Sequence, residues 1–461
     1  MAYFKSTAIF NGQKIISYVR YVMRRKHQIL LFILFLFIPP PLHADVLEAQ
    51  PALTLPEGLK IVMDESRALK IAGFSKAIAE SDTNVARAGL LPYISASAIH
   101  TSLVSQPAML FAGQSVPVSD KHYYAYSISI QQILFDFRAG LSRYEASRMM
   151  LEAQKFDSRR IRTAVALEFT LAFYDYLESQ QFVEAGTKEI ERLEAHLREA
   201  DHLYKAGVIT RNDLLQVQVK LSDARQKLLS AKNLEAFLAS RLNNLLMRPL
   251  SSEVNAAEGN RTISAPPGFN LDQAWEKAEK RRPEIQMINR TLEAVDLENT
   301  VIRSEFLPKF IVKGSNDYME NPYQAHENNW SLTFVMNMNL YEGGRTTAEL
   351  QKTKSRKKQL IEQQAKLVDE IKLEIQRYIL DLQNAYARIQ ANREATGQAQ
   401  ENLRINKKRY EEGEGTATEV LDAVTLLTVA ETNYIRSVYD YRKAEAATHY
   451  ALGDDFLEVY Q

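Results

Sequence analysis

Trp330-Ser331-Leu332-Thr333-Phe334-Val335-Met336-Asn337-Met338-Asn339-Leu340, followed by Tyr341-Glu342-Gly343-Gly344-Arg345, is the stretch that decides the fold. Trp330, Leu332, Phe334, Met336, Met338 and Leu340 alternate with Ser331, Thr333, Val335, Asn337 and Asn339. A period of two puts the first set on one face of a β-strand and the second on the other. Tyr124, Tyr126, Ile128 and Ile130 alternate with Ala125, Ser127, Ser129 and Gln131 in the same way, and Ile94, Ala96 and Ala98 with Ser95 and Ser97. Phe310 and Val312 against Ile311 and Lys313 form a less clean fourth case. Strands of about ten residues match the roughly 9–11 residues of a tilted strand crossing a bilayer. Aromatic residues gather at the strand ends (Tyr93, Tyr123, Phe135, Phe137, Tyr318, Trp330, Tyr341), as in interfacial girdles. A half-buried sheet of a soluble protein shows the same alternation. The polar second face and the leader described below favour the membrane.

Four strands cannot close a barrel, and a bilayer tolerates no open sheet edge. The smallest membrane barrels have about eight strands. The chain is therefore expected to oligomerise, giving eight strands as a dimer or twelve as a trimer. Polar inner faces suit a water-filled lumen and the larger barrel.

Outward from the strands the chain is helical. No proline occurs between Pro117 and Pro249, or after Pro322, and those stretches are rich in Ala, Leu, Glu, Gln, Lys and Arg. Ile361, Ala365, Val368, Ile371, Ile375, Ile379, Leu382, Tyr386 and Ile389 are spaced by threes and fours, a coiled-coil seam. A helix from Arg345 to Tyr410 would be about 100 Å long. Gly207 and Gly413 stand where such helices stop and turn. Return helices follow over about 210–247 and 416–452.

The halves repeat. Leu55-Pro56-Glu57-Gly58-Leu59 returns in outline as Leu271-Asp272-Gln273-Ala274-Trp275, and Leu91-Pro92 as Leu307-Pro308, both 216 residues on. Leu134-Phe135-Asp136 returns as Leu340-Tyr341-Glu342, Tyr204-Lys205-Ala206-Gly207 as Tyr410-Glu411-Glu412-Gly413, and Leu246 as Leu452, all 206 on. The first copy thus carries ten extra residues between Pro92 and Leu134. The expected organisation is a signal peptide over 1–44, a first repeat over 45–249 with its hairpin at about 93–135, a linker over 250–268, and a second repeat over 269–461 with its hairpin at about 309–341.

The 461 residues hold 57 Lys+Arg, 57 Asp+Glu and no cysteine. Zero Cys excludes disulfide scaffolds, thiolate metal sites and Cys nucleophiles. The first 44 residues carry six basic groups and no acid, so the remainder is acidic by six. Arg24-Arg25-Lys26, the apolar run from Ile29 to Ile38, Pro39-Pro40-Pro41 and Leu42-His43-Ala44 have the layout of a secretory signal. About ten apolar residues are too few for a transmembrane helix. Met23 offers a second start. Neutral or acidic charge gives no support for nucleic-acid binding.

Leu90-Leu91-Pro92, Phe306-Leu307-Pro308, Leu340-Tyr341-Glu342-Gly343-Gly344-Arg345 and Tyr410-Glu411-Glu412-Gly413 with Thr416, Glu419, Val420, Leu421, Asp422 and Ala423, in duplicated order, resemble the outer membrane efflux protein family, the TolC-like channels. The resemblance covers about residues 52–455. It implies a mainly α chain with a membrane β-barrel: a homotrimer with a twelve-stranded barrel in the outer membrane and a twelve-helix periplasmic tunnel. It implies docking onto an inner-membrane pump or exporter through a periplasmic adaptor, with Ala206, Gly207, Val208, Gly413 and Glu414 at the contacting turns. Glu419 and Asp422 share a helix face by spacing. An ordinary solvated acidic face accounts for that pattern, while the resemblance implies a carboxylate ring at the entrance that attracts cations. It also implies a gate network through Tyr410 and Asp213. The family's Arg two residues after the turn glycine is Gly415 here, with Arg211, Arg409 and Lys408 nearby. The lipid-facing stripe is expected to include Trp330, Leu332, Phe334, Met336, Tyr124, Tyr126 and Ile128.

Enzyme chemistry finds no foothold. The eight His are scattered, and His196 and His202, six apart, do not share a helix face. No phosphate loop, nucleophile elbow or HExxH is present, and no cofactor or metal is expected. The functional expectation is a passive exit duct for efflux or type I secretion. A soluble periplasmic coiled-coil scaffold or adaptor is the alternative. The cargo is not encoded in these features.

Overall fold

The computed structural model describes residues 52–259, 262–268 and 270–460; the expected signal peptide lies outside the described residues. Along the chain run α1 (Leu55–Glu65), α2 (Arg67–Ala88), β1 (Tyr93–Ser102), β2 (Ala108–Phe111), β3 (Gln114–Pro117), β4 (His122–Phe135), α3 (Ala139–Lys205) and α4 (Arg211–Leu245). Then come α5 (Leu271–Arg281), α6 (Pro283–Ser304), β5 (Lys309–Met319), β6 (Asn328–Asn337), α7 (Arg345–Glu411), α8 (Ala417–Ala451) and α9 (Phe456–Val459). Helix lengths match between halves: 11 residues for α1 and α5, 22 for α2 and α6, 67 for α3 and α7, 35 for α4 and α8. At 1.5 Å per residue, α3 and α7 are each about 100 Å long.

The strands form one antiparallel sheet in the order β1-β4-β5-β6, so the two hairpins lie side by side and β1 and β6 are its free edges. The ten extra residues of the first copy are not simple loop. β2 and β3 pair as a separate small hairpin, turning through Ala112 and Gly113, both at positive φ (47° and 77°). Two left-handed residues are what a two-residue hairpin turn requires. Four-residue strands are too short to give a period-two signal.

β6 also differs from its expected span. It begins two residues before Trp330 and ends at Asn337, which pairs with Lys309. The next position across is Pro308, which has no N–H to give, so the ladder stops there. β4 carries a bulge between Ile133 and Phe135.

Both strand-to-helix turns place two consecutive residues at positive φ. The second copy uses Gly343 and Gly344, and the first uses Phe137 and Arg138. The acid of each Phe/Tyr-Asp/Glu pair then bonds into the first turn of the helix. Asp136 accepts from the Gly140 amide at 2.7 Å, and Glu342 accepts from the Thr346 hydroxyl at 3.1 Å.

Among the described residues the buried side chains fall into five clusters, three of which position the site. Midway along α3, Phe169, Phe173, Tyr174 and Leu177 pack with Leu55 and Leu59 of α1, Leu242 of α4, Tyr439 of α8 and Phe456 of α9. Gly58 allows this packing, because a Cβ there would run into the Phe169 ring. A second cluster joins Ala278 and Ile285 to Ile371, Ile375 and Ile379 of the α7 seam. That seam is buried at Ile371, Ile375, Ile379, Leu382 and Ile389, while Ile361 is exposed in the single chain. The third cluster lies at the hairpin tips.

Candidate functional site

Two regions carry the expected function: the sheet, and the helix tips farthest from it. In the sheet, directly paired residues share a face. The register aligns Ala96, Ile128, Asn316 and Trp330 in one row, and Ile94, Ile130, Gly314 and Leu332 in the next. Further rows join Tyr126 to Tyr318, Val312 to Phe334, and Phe310 to Met336. All seven expected stripe residues therefore fall on one face. Tyr124, Tyr126, Ile128, Trp330, Leu332, Phe334 and Met336 are exposed, with Trp330 at 83%. So broad an apolar surface demands a covering phase.

The opposite face is polar and internally bonded. Ser95 and Ser129 share a hydrogen bond of 3.0 Å, and Ser315 and Ser331 one of 2.8 Å. Asp317 accepts from both Ser127 and Ser315. Lys313, Thr333 and Asn329 share this face by register. Lys313 falls on the face its alternation implied, while Asp317 was not picked out from sequence, although the alternation of β5 could have placed it.

At the far end, the α3–α4 and α7–α8 turns are built alike. Gly207 and Gly413 stand at φ 75° and 77°. Val208 N–H donates to Leu203 O and Gly207 N–H to Tyr204 O. Glu414 N–H and Gly413 N–H donate likewise to Arg409 O and Tyr410 O. These bonds satisfy the last helix carbonyls, and glycine takes the left-handed position without strain. Each return helix then opens on a capping box. Asp213 accepts from the Thr210 amide at 3.0 Å, and Glu419 from the Thr416 amide at 3.0 Å, while each Thr hydroxyl accepts from the acid's own amide. Ala206, Gly207, Val208, Gly413 and Glu414 are all exposed.

The two acids expected at the entrance thus have different local roles. Glu419 is committed to its cap and lies 3.7 Å from Arg409. Asp422 is exposed and shares its helix stripe with exposed Leu426 and Val429. Gly415 is hemmed in by the Tyr410 and Arg409 backbone and the Glu419 carboxylate, so a side chain there would crowd all three. Arg409 donates to the Glu414 carbonyl at 3.1 Å, which bridges the second turn.

Tyr410 is 2% exposed, among Leu193, Ala200, Val217, Ala417, Val420 and Leu421. Burial pushes its phenol up, reinforced by the charges of Asp213 and Glu199. Among the described residues its hydroxyl has no hydrogen-bond partner, so Tyr410 and Asp213 are neighbours without a bond. Deeper along the hairpins, Arg192 of α3 makes a two-pronged contact with Glu431 of α8 at 2.6 and 2.8 Å. Thr418 donates to Gln216 across the return helices. These contacts, missed from sequence because their partners are over 200 residues apart, fasten one hairpin to the other.

Among the described residues no group of His, Asp and Glu is arranged to hold a metal ion. No described helix is long and apolar enough to cross a membrane.

A sheet with one apolar and one polar face, carried on helical hairpins about 100 Å long, is the build of a membrane-embedded duct. The outer membrane efflux protein family matches residues 59–246 and 274–454. The chain is 23% identical over 344 residues to alkaline protease secretion protein AprF of Pseudomonas aeruginosa, covering 72% of this chain and 71% of that protein. It is 22% identical over 329 residues to outer membrane efflux protein BepC of Brucella suis, covering 71% of each. Its fold is similar to that of the Campylobacter jejuni CmeC outer membrane channel, with a TM-score of 0.77, 15% identity, and coverage of 87% of this chain and 85% of the other. The chain belongs to the outer membrane efflux protein family, and its place is the outer membrane. The members of that family are channels rather than enzymes.

Proposed function

We propose that the chain works as a homotrimeric exit duct, passive in itself, that receives cargo from an inner-membrane pump or exporter through a periplasmic adaptor. The observation that carries this reading is the four-stranded sheet with an apolar face, a bonded polar face and two free edges. Pairing β6 of one copy with β1 of the next three times gives a closed twelve-stranded barrel with the Trp330–Met336 stripe toward lipid and the serines toward water. Exposed stripes on the helices supply surface for neighbouring copies: Ile71, Phe74, Ile78 and Val85 on α2, and Leu215, Val219, Leu229 and Phe237 on α4. In this reading residues 45–249 and 269–461 are two copies of one unit joined by 250–268. The long hairpins make the periplasmic tunnel, and the turns at 206–208 and 413–414 meet the adaptor. Relatives named for protease secretion and for efflux support a duct that takes its selectivity from the partner.

Asp422 is the group through which the mouth would favour cations, with Glu419 beside it. Purified protein in planar bilayers tests this. Asp422→Asn, which disturbs no cap, is expected to weaken cation selectivity at low salt. Unchanged selectivity would remove Asp422 from the pore, and a wild-type protein without conductance would refute the duct.

A further inference from the structure

Where the two hairpins meet at their tips, one polar pair is sealed inside. His196 of α3 is 6% exposed and Tyr410 of α7 is 2% exposed, in a single chain with no neighbour present. Their rings meet edge to face at 4.9 Å. His196 Nε2 and the Tyr410 hydroxyl are both enclosed without a hydrogen-bond partner. Buried polar atoms are nearly always bonded, so two orphans in contact mark an arrangement held for a reason other than stability.

The charges around the pair are few. On His196 burial acts first, holding it below the ordinary imidazole range; its bond to the Ala417 backbone of α8 opposes this, and Lys407 of α7 adds to it. Asp213 of α4 and Glu199 of α3 act on Tyr410. Asp213 is tied to its cap. Val217 and Leu221 of α4 and Val420 of α8 complete the apolar walls. An imidazolium needs acceptors on both nitrogens, and no carboxylate is among the groups that act on His196. A proton on this ring is tolerated only if the ring reaches water, which requires α3 and α7 to part.

We propose that His196 governs the periplasmic mouth: neutral, it packs the α3–α4 hairpin against the α7–α8 hairpin at their tips; protonated, it drives them apart. This rests on the duct reading above. The closed arrangement is favoured above the ordinary histidine range and gives way as pH falls below it.

The absence of native cysteine makes the test clean. Full-length protein carrying Val208→Cys and Glu414→Cys, spin-labelled and diluted with unlabelled chain, reports the distance between the two tips. Acidification from about pH 7.5 to about 4.5, a window that spans the histidine range, is expected to lengthen that distance, and adding His196→Phe to abolish the change. No lengthening in the parent, or the same lengthening with His196→Phe, overturns the proposal. Should His196→Phe not assemble, histidine C2-hydrogen exchange on the unsubstituted protein decides. A His196 midpoint below those of the exposed histidines supports the proposal, and one at or above them refutes it. Tip separation without conductance would uphold the hinge while refuting the duct.

Discussion

Asp454 shows how single side chains hold the waist of the molecule. Burial pushes its carboxyl up, but bonds from His449 and Lys277 more than offset this and hold it at about 2. Arg281 adds a contact of 2.7 Å. A carboxylate whose folded value lies below its ordinary 3.8 stabilises the fold above about pH 4 and loses that contribution as pH falls toward about 2. Asp454→Asn is therefore expected to cost about 1–2 kcal/mol near neutral pH. Thermal unfolding across the acid range should show the gap to wild type narrowing as pH drops through that window. The residue scale is also where sequence reading stops short. Asp213 and Glu419 were legible as acids near a turn, but their capping role needs the backbone geometry. Gly415 stands where the family resemblance implies an arginine, and a side chain there would press on the Tyr410 and Arg409 backbone and the Glu419 carboxylate. In the sequence His196 showed only that it shares no helix face with His202. Only the approach of α7, more than 200 residues on, reveals it as buried.

At the scale of elements, the sequence was a good guide wherever periodicity runs long. The strand alternation predicted which residues share the apolar face, and the register agrees at Tyr124, Tyr126, Ile128, Trp330, Leu332, Phe334 and Met336. Glycine marked the helix turns at Gly207 and Gly413. It could not mark Phe137 and Arg138, which adopt the same left-handed geometry without glycine. Such residues cost about 1–2 kcal/mol each in that region, and propensity cannot foresee where surrounding structure enforces them. The two faces of β6 make separate predictions. Phe334→Lys puts a charge on the apolar face at a cost of about 2–4 kcal/mol at the bilayer midplane, and is expected to reduce the protein recovered folded from the membrane fraction. Thr333→Lys, on the polar face, is expected to leave recovery unchanged. Equal recovery of both variants would contradict the assignment of faces.

The whole molecule was legible as a duplicated plan, because the motifs recur in order and the matched helices have equal lengths. The linker's attachment was not. Arg442 of α8 bonds Glu258 at 2.7 Å, Tyr441 donates to the Ser264 carbonyl, and Leu53 bridges Ala256. None of these pairs has a sequence signal. For the assembly, the exposed stripe on α2 is the most direct test. Ile78→Asp beside Phe74→Asp should weaken the proposed trimer, read by gel mobility with and without boiling, and leave helix content by circular dichroism unchanged. A trimer of wild-type strength would assign that stripe to another partner.

The aromatic cluster around Phe169 lies partway along a stiff rod, and the distance from there to the tip has a mechanical meaning. From Phe169 to Lys205, at the end of α3, is about 54 Å at 1.5 Å per residue. With the waist as fulcrum, a tilt of about 5° swings the tip by about 5 Å over that helical arm. A shift at the scale of a side-chain repacking in this aromatic cluster would become a movement as wide as a hydrated ion at the tip. The length of the helices supplies gain as well as reach.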